Sequence, residues 1–429
     1  MRPPDRRRTG TLTAAGILLL ALGSTGCATL RTTLRGYDVG PNGIARPQHR
    51  LREALVTGDF VRALKSRDED ELLDRLTRAT TAYYAGQFLR AGALLDTAAL
   101  ASDDRITGRL SRDALAMVTN DNARPYRPRR TERLFIPYYG MLAYAGAESW
   151  SDAAVEARRL VALLAQHESD RDESERPLHA MLEHLSGAVL ERAGYADEAQ
   201  VAYRAANRML AAAPERLARP GRDEGELLVV LERGFVAHRV TEKIDLYVGD
   251  DDAHRRDRDD DADCWISVAF PVLRHSARPW PSPARLRLEA GEADHTVRLV
   301  SVVDDAASAD ERRDRLAMLA RATARAGAKY ALAKVAKDRK GELAGTLANY
   351  GASLLERADV RSWHLLPQEI QLLRTRLRPG THAVRVEVMD GGMLRAVELG
   401  TVTVHAGATS IVPLRIWREG GAAPLLAKR

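Results

Sequence analysis

The chain has 429 residues, 45% apolar and 29% charged, with a formal net charge of +6 and a pI near 9.4. That length suits two or three domains with packed cores, and two cysteines, Cys27 and Cys264, exclude a disulfide framework. The basic pI does not argue for a nucleic-acid partner: residues 1–26 carry four arginines against Asp5, half of the net charge, and acids alternate with arginines through the rest.

Arg2, Arg6, Arg7 and Arg8 make a basic start, followed by an uncharged run over 12–22 with the core Ile17-Leu18-Leu19-Leu20-Ala21-Leu22. The run is too short for the roughly 20 residues of a membrane-spanning helix and fits the apolar region of a signal peptide. Ser24-Thr25-Gly26 then lead into Cys27, which resembles the lipobox of lipoprotein signal peptides, with Ser24 where leucine is commonest. The resemblance implies export, cleavage before Cys27 and acylation of its thiol. Ala28 in place of Asp implies an outer-membrane destination, with the body facing the periplasm. An ordinary buried cysteine and a twin-arginine signal are the competing readings, the second weakened by the missing apolar partner after Arg7-Arg8. No later segment is apolar enough, over enough residues, to cross a membrane.

Residues 27–50, with Gly36, Gly40, Gly43, Pro41 and Pro47, read as a tether. From 51 to 218 the pattern is helical, and a motif recurs: a glycine, an aromatic two residues on, an alanine five residues on. It stands as Gly58, Phe60, Ala63 and as Gly86, Phe88, Ala91. Gly194 with Ala199 keeps the spacing with its aromatic at Tyr195, and the stretch Gly146 to Ala153 reads as a fourth copy with two extra turn residues. This resembles the turn and second helix of a tetratricopeptide repeat, where glycine permits the tight turn and alanine the close helix approach. The alanines lie 28, 62 and 46 residues apart, so the array is irregular, and unrelated α-hairpins stay open as the alternative.

Residues 224–429 are read as a β-rich domain with a helical insertion at about 308–357, giving an α+β fold: helical hairpins, then an antiparallel β-sandwich-like domain. Leu227-Leu228-Val229-Val230-Leu231 has the wholly apolar pattern of a buried strand. Alternation at Val384, Val386 and Val388 after Pro379-Gly380 marks a later hairpin. Between strands lies the acidic stretch 250–263. Asp257, Asp259, Asp261 and Asp263 suggest calcium, but the central glycine and distal Glu of such loops are absent, which favours a solvated loop and no metal. In the insertion, Leu316, Leu319, Ala320, Thr323, Ala324 and Gly327 form one helical face, read as packing against the sheet.

Tyr138-Tyr139 with Leu142 and Tyr144, the run Ala154-Val155-Glu156-Ala157-Arg158-Arg159, and Asp359, Arg361 and Trp363 before Leu366-Pro367 resemble a family of uncharacterised Gram-negative outer-membrane lipoproteins with tetratricopeptide-like N-terminal halves. Lipoproteins of this type are associated with activators of peptidoglycan synthases, which implies an accessory of cell-wall assembly. From the residues themselves, Asp359 and Arg361 are expected to form a charge-assisted pair with Trp363 as a core anchor. Tyr138, Tyr139, Arg158 and Arg159 are expected near a groove that holds an envelope protein; buried tyrosines and solvated arginines are the plainer alternative.

The chain carries no zinc helix of His-Glu-x-x-His type, no nucleophile elbow and no P-loop lysine. The expectation is a non-enzymatic scaffold lipoprotein without a cofactor, held to the membrane by its lipid. The alternative is a glycan- or peptidoglycan-binding β domain, for which Trp417 is the one aromatic candidate in the final strands.

Overall fold

The computed structural model describes residues 44, 46–107, 125–210, 220–248, 264–275, 283–288, 291–292, 297–340, 358–390, 393–417 and 422–424. Cys27, the acidic stretch 250–263 and residues 341–357 of the expected insertion lie outside them.

Helices α1 (Arg46–Val56), α2 (Phe60–Ala63), α3 (Glu71–Tyr84), α4 (Phe88–Thr107), α5 (Arg130–Gly146), α6 (Trp150–Gln166), α7 (Arg176–Arg192) and α8 (Ala196–Met209) pair into four successive hairpins. The expected tether thus gives way to helix by Arg46. One turn is used four times. Its pivot has positive φ, at Gly58 (75°), Gly86 (74°), Glu148 (60°) and Gly194 (95°). The pivot N–H bonds the carbonyl three residues back at 3.0–3.1 Å, and the next N–H bonds the carbonyl five back at 2.8–2.9 Å. This double closure is the Schellman motif. Five residues beyond each pivot sits a buried alanine, Ala63, Ala91, Ala153 and Ala199, where a larger side chain would separate the helices. The third turn therefore has no extra residues, contrary to the sequence expectation. Glu148 takes the glycine's place, while Gly146 ends α5 against the Phe88 ring, 3.1 Å from where a Cβ would stand.

The strands are β1 (Gly225–Arg233), β2 (His238–Val248), β3 (Cys264–Arg274), β4 (Arg285–Leu288), β5 (Gly291–Glu292), β6 (Val297–Val302), β7 (Glu369–Leu377), β8 (Gly380–Asp390), β9 (Met393–Val404), β10 (Thr409–Ile416) and β11 (Ala422–Pro424), with α9 (Val303–Lys340) between β6 and β7. They form a five-stranded sheet in the order β11-β10-β1-β7-β6, a four-stranded sheet β5-β4-β8-β9 and a separate β2–β3 pair. The chain is α+β, and its two larger sheets face each other as expected. The central pair departs from the antiparallel expectation: β1 and β10 run parallel, Glu226 beside Thr409 through Arg233 beside Ile416.

Side-chain alternation along β1 explains its wholly apolar sequence. Leu227, Val229 and Leu231 join a core with Val384, Val386 and Val402 of the second sheet, whereas Leu228 and Val230 join the helical core with Tyr83, Tyr139 and Leu185. A strand buried on both faces needs apolar residues at every position. The molecule has three layers, helices, sheet and sheet, and the helical core is continuous with one sheet face. The expected division into 51–218 and 224–429, each owning its apolar set, is corrected accordingly: secondary structure changes near Pro220, but packing does not divide there.

Helix α9 begins at Val303, earlier than expected, and buries a different face. Leu316 is 81% exposed, whereas Ala306, Ala309, Met318 and Ala322 are buried. Polar anchors at its N-terminal end set this rotation: the Asp304 carboxylate accepts the Ala237 N–H at 2.6 Å, and Asp310 accepts the Thr131 N–H at 2.7 Å.

Candidate functional site

Tyr138 and Tyr139 lie on α5, the first helix of its hairpin, and both are wholly buried. The Tyr138 hydroxyl donates to Glu232 Oε1 at 3.0 Å, and the Tyr84 hydroxyl donates to Glu232 Oε2 at 2.9 Å. Having given its only proton to Glu232, Tyr84 must accept at its 2.8 Å contact with Tyr139, which is then the donor. Arg415 of β10 donates to Tyr84 at 3.1 Å and lies 3.8 Å from Glu232, with Trp417 stacked beneath its guanidinium at 4.4 Å. Burial pushes the Glu232 carboxyl above its ordinary range against the pull of Arg415, and burial with Glu232 pushes the Tyr138 and Tyr139 hydroxyls well above theirs. The face of α5 that carries them is covered by the chain's own sheet, so Tyr138 and Tyr139, expected near a partner-binding groove, are corrected to interior bridges. Trp417, the candidate for glycan stacking, is wholly buried between Tyr84 and Phe235.

Asp359 and Arg361 are brought together as expected, with guanidinium contacts of 2.9 and 2.8 Å and an N–H of Arg361 on Asp359 at 3.1 Å. Trp363 is wholly buried. Its backbone N–H is held by Glu132 at 2.7 Å and its indole N–H by Thr80 at 3.0 Å, which pins the loop ahead of β7 to α3 and α5.

Arg158 and Arg159, adjacent on α6, diverge because neighbouring helical residues point about 100° apart. Arg158 forks onto Glu198 of α8 at 2.6 and 2.9 Å and covers the Tyr195 ring at 4.1 Å, an external strut between hairpins. Arg159 bonds Glu156 at 2.8 Å and lines an open groove of about 430 Å³ between α4, α5 and α6. Ile106, Ile136, Pro137, Ala162 and Leu163 supply apolar surface there, and Arg133 supplies a second cation, 3.7 Å from Asp103 in the same lining. Burial raises Glu156, the partner of Arg159, to about 7 even though Arg159 draws it down. Of the four expected partner residues, only Arg159 faces a groove. Arg133, Ile136 and Pro137 were not expected there, and no sequence signal singled them out.

Exposed large apolar side chains in the hairpins follow a rule. Among the described residues, Val61 on α2, Leu89, Leu100 and Ile106 on α4, Val155 on α6 and Val201 on α8, with Tyr195 capping α8, are all on second helices. The first helices spend their apolar residues on the sheet, so the second-helix face is what the array offers outward. Among the described residues no helix is long and apolar enough to cross a membrane, and no group of three or more His, Cys, Asp or Glu side chains is placed to hold a metal. No family model matches the chain, and no curated protein and no solved structure matches it either.

Proposed function

We propose that this chain is a non-catalytic scaffold lipoprotein, anchored by acylated Cys27 at the periplasmic face of the outer membrane, that holds a segment of another envelope protein on the second-helix face of its hairpins. The observation that carries this reading is the confinement of the hairpins' exposed apolar side chains to second helices; one of these side chains, Ile106, lines a groove with apolar walls and two arginines. Exposed apolar side chains gathered on one face mark association surfaces more than scattered ones do, and Arg133 and Arg159 suit an acidic residue of the bound segment. The resemblance to Gram-negative outer-membrane lipoproteins supports the compartment and an accessory role in cell-wall assembly. The glycan-binding alternative is weakened by the burial of Trp417.

Crosslinking in the periplasm with wild type and an Ile106→Glu, Arg159→Gln double variant, followed by mass spectrometry, tests the proposal. Both positions are exposed enough for the fold to survive, and the variant is expected to lose a crosslinked protein that wild type retains. Identical crosslinked sets, with both chains folded, would falsify it.

A further inference from the structure

A second cleft, of about 150 Å³, lies where the segment before α5, the β2–β3 pair, α9 and the loop before Trp363 converge. Arg127 and Arg129 reach it from the first of these, Arg239 from β2, Arg321 from α9 and Arg361 from the loop; Asp359 is the one acid in its lining. The acids behind are engaged with these guanidiniums, Glu311 being shared between Arg239 and, at 3.7 Å, Arg129. Asp314 holds Arg129 at 2.6 Å, Glu311 holds Arg239 at 3.1 Å, and Asp359 holds Arg361 at 2.8 Å with Asp70 at 3.7 Å. Glu132 is occupied by the backbone N–H groups of Arg129 and Trp363. Burial, and next to it the like charge of Arg239, holds Arg129 below its ordinary range. Five guanidiniums thus converge on a small cleft whose lining holds one acid, and an anion bound there would find several charged donors at once.

We propose that this cleft binds a phosphate group. The cations arrive from four separate chain segments, which suits a tetrahedral anion with oxygens directed several ways, whereas a planar carboxylate is satisfied by a single guanidinium fork. The volume is below the several hundred Å³ of ordinary small-molecule pockets, so it takes a phosphate or the phosphate end of a larger molecule. Arg127, exposed, and Arg321, half-buried, stand at the mouth, and Arg239, buried, forms the base. The site is distinct from the α4–α6 groove and does not depend on the scaffold reading.

Titration calorimetry on the full chain in nonionic detergent, at matched ionic strength, tests it with two probes: inorganic phosphate and dihexanoyl phosphatidylglycerol. Saturable one-to-one binding of at least one is expected. Arg127→Gln with Arg321→Gln should weaken it by about tenfold or more while leaving the unliganded melting temperature unchanged, and Arg239→Lys should weaken it by loss of the fork at constant charge. Similar affinity for both probes identifies a free phosphate; much tighter phosphatidylglycerol binding identifies a lipid headgroup. Absence of saturable binding by either probe, or unchanged affinity in the double variant, overturns the proposal.

Discussion

The hydroxyl of Tyr84, the last residue of α3, donates to the carboxylate of Glu232 in β1 at 2.9 Å, across 148 residues of chain. Together with Tyr138, Tyr139 and Arg415 it makes a polar bridge inside an otherwise apolar junction of helices and sheet. A second bridge stands nearby, where Arg374 of β7 meets Glu226 at 2.6 Å and His184 and the Tyr203 hydroxyl at 3.1 Å each. In both bridges, buried polar groups of the helices and of the sheet satisfy one another across the junction, so neither side is complete alone.

The first prediction is that the helical and β portions unfold together. Urea denaturation followed by circular dichroism and by tryptophan fluorescence should give coincident transitions, and the fragments 51–218 and 224–429 should fail to fold when expressed apart. A 51–218 fragment that melts cooperatively by itself would refute the shared core.

Glu232→Ala should destabilise the protein by roughly 3–5 kcal/mol, because it leaves Arg415 as an uncompensated charge in the interior. The urea midpoint measures it. A loss under about 1 kcal/mol would mean that the tyrosine hydroxyls and the carbonyls of Gly234 and Leu365 suffice to hold that guanidinium.

At the third hairpin turn, Glu148→Gly should stabilise by about 0.5–1 kcal/mol. Left-handed backbone costs a side-chain-bearing residue about 1–2 kcal/mol, and glycine's greater freedom in the unfolded chain returns about 0.5–1 kcal/mol of that. Gly86→Ala should lose about 1 kcal/mol for the same reason read in reverse, since open space surrounds Gly86 and only φ is at issue. Equal urea midpoints for wild type and Glu148→Gly would show that other contacts of Glu148 offset the strain.

Glu156 makes stability depend on pH. Its carboxyl is raised to about 7, chiefly by burial, so the folded state keeps a proton that the unfolded chain releases near the ordinary value of 4.5. The contribution is present below that value and is lost as pH rises through about 7. Glu156→Gln does not titrate, so its stability relative to wild type should improve by roughly 1–3 kcal/mol between about pH 5 and pH 8. Burial raises Glu183 to about 7 as well, but it is common to both proteins and cancels in the comparison. A gap between the two proteins that is the same at both pH values would place the Glu156 titration elsewhere.

For the anchor, Cys27→Ala should abolish incorporation of a fatty-acid analogue during metabolic labelling and release the protein from the membrane fraction. Each buried methylene of an acyl chain contributes about 0.8 kcal/mol to binding, so its loss is not made up by the body. Label that persists in Cys27→Ala would rule out acylation at this residue.

What could be read from the sequence was local. The hairpin turns were legible because glycine, aromatic and alanine keep fixed offsets across a single turn, and Asp359, Arg361 and Trp363 because five residues contain the whole device. Glu148 escaped because the turn's conformation is imposed by backbone hydrogen bonds, which residue identity does not encode. The apolar run in β1 was recognised as a buried strand, but burial on both faces also demands a layer on each side, and that argued against two independent domains. Tyr138 and Tyr139 look the same in sequence whether they face a partner or the chain's own sheet. Arg127, Arg239, Arg321 and Arg361 are separated by 40 to 112 residues, and no spacing rule could bring them to one cleft.

The parallel pairing of β1 with β10 fixes the order in which the structure can close. β1 is central in its sheet, and both strands beside it come from far downstream, β7 more than 130 and β10 more than 170 residues later. Contacts so distant in sequence slow folding, and until β10 arrives β1 presents an unpaired apolar edge of the kind that invites aggregation. A nascent chain therefore remains vulnerable through most of its emergence, which creates a long window in which a chaperone is useful and a protease effective.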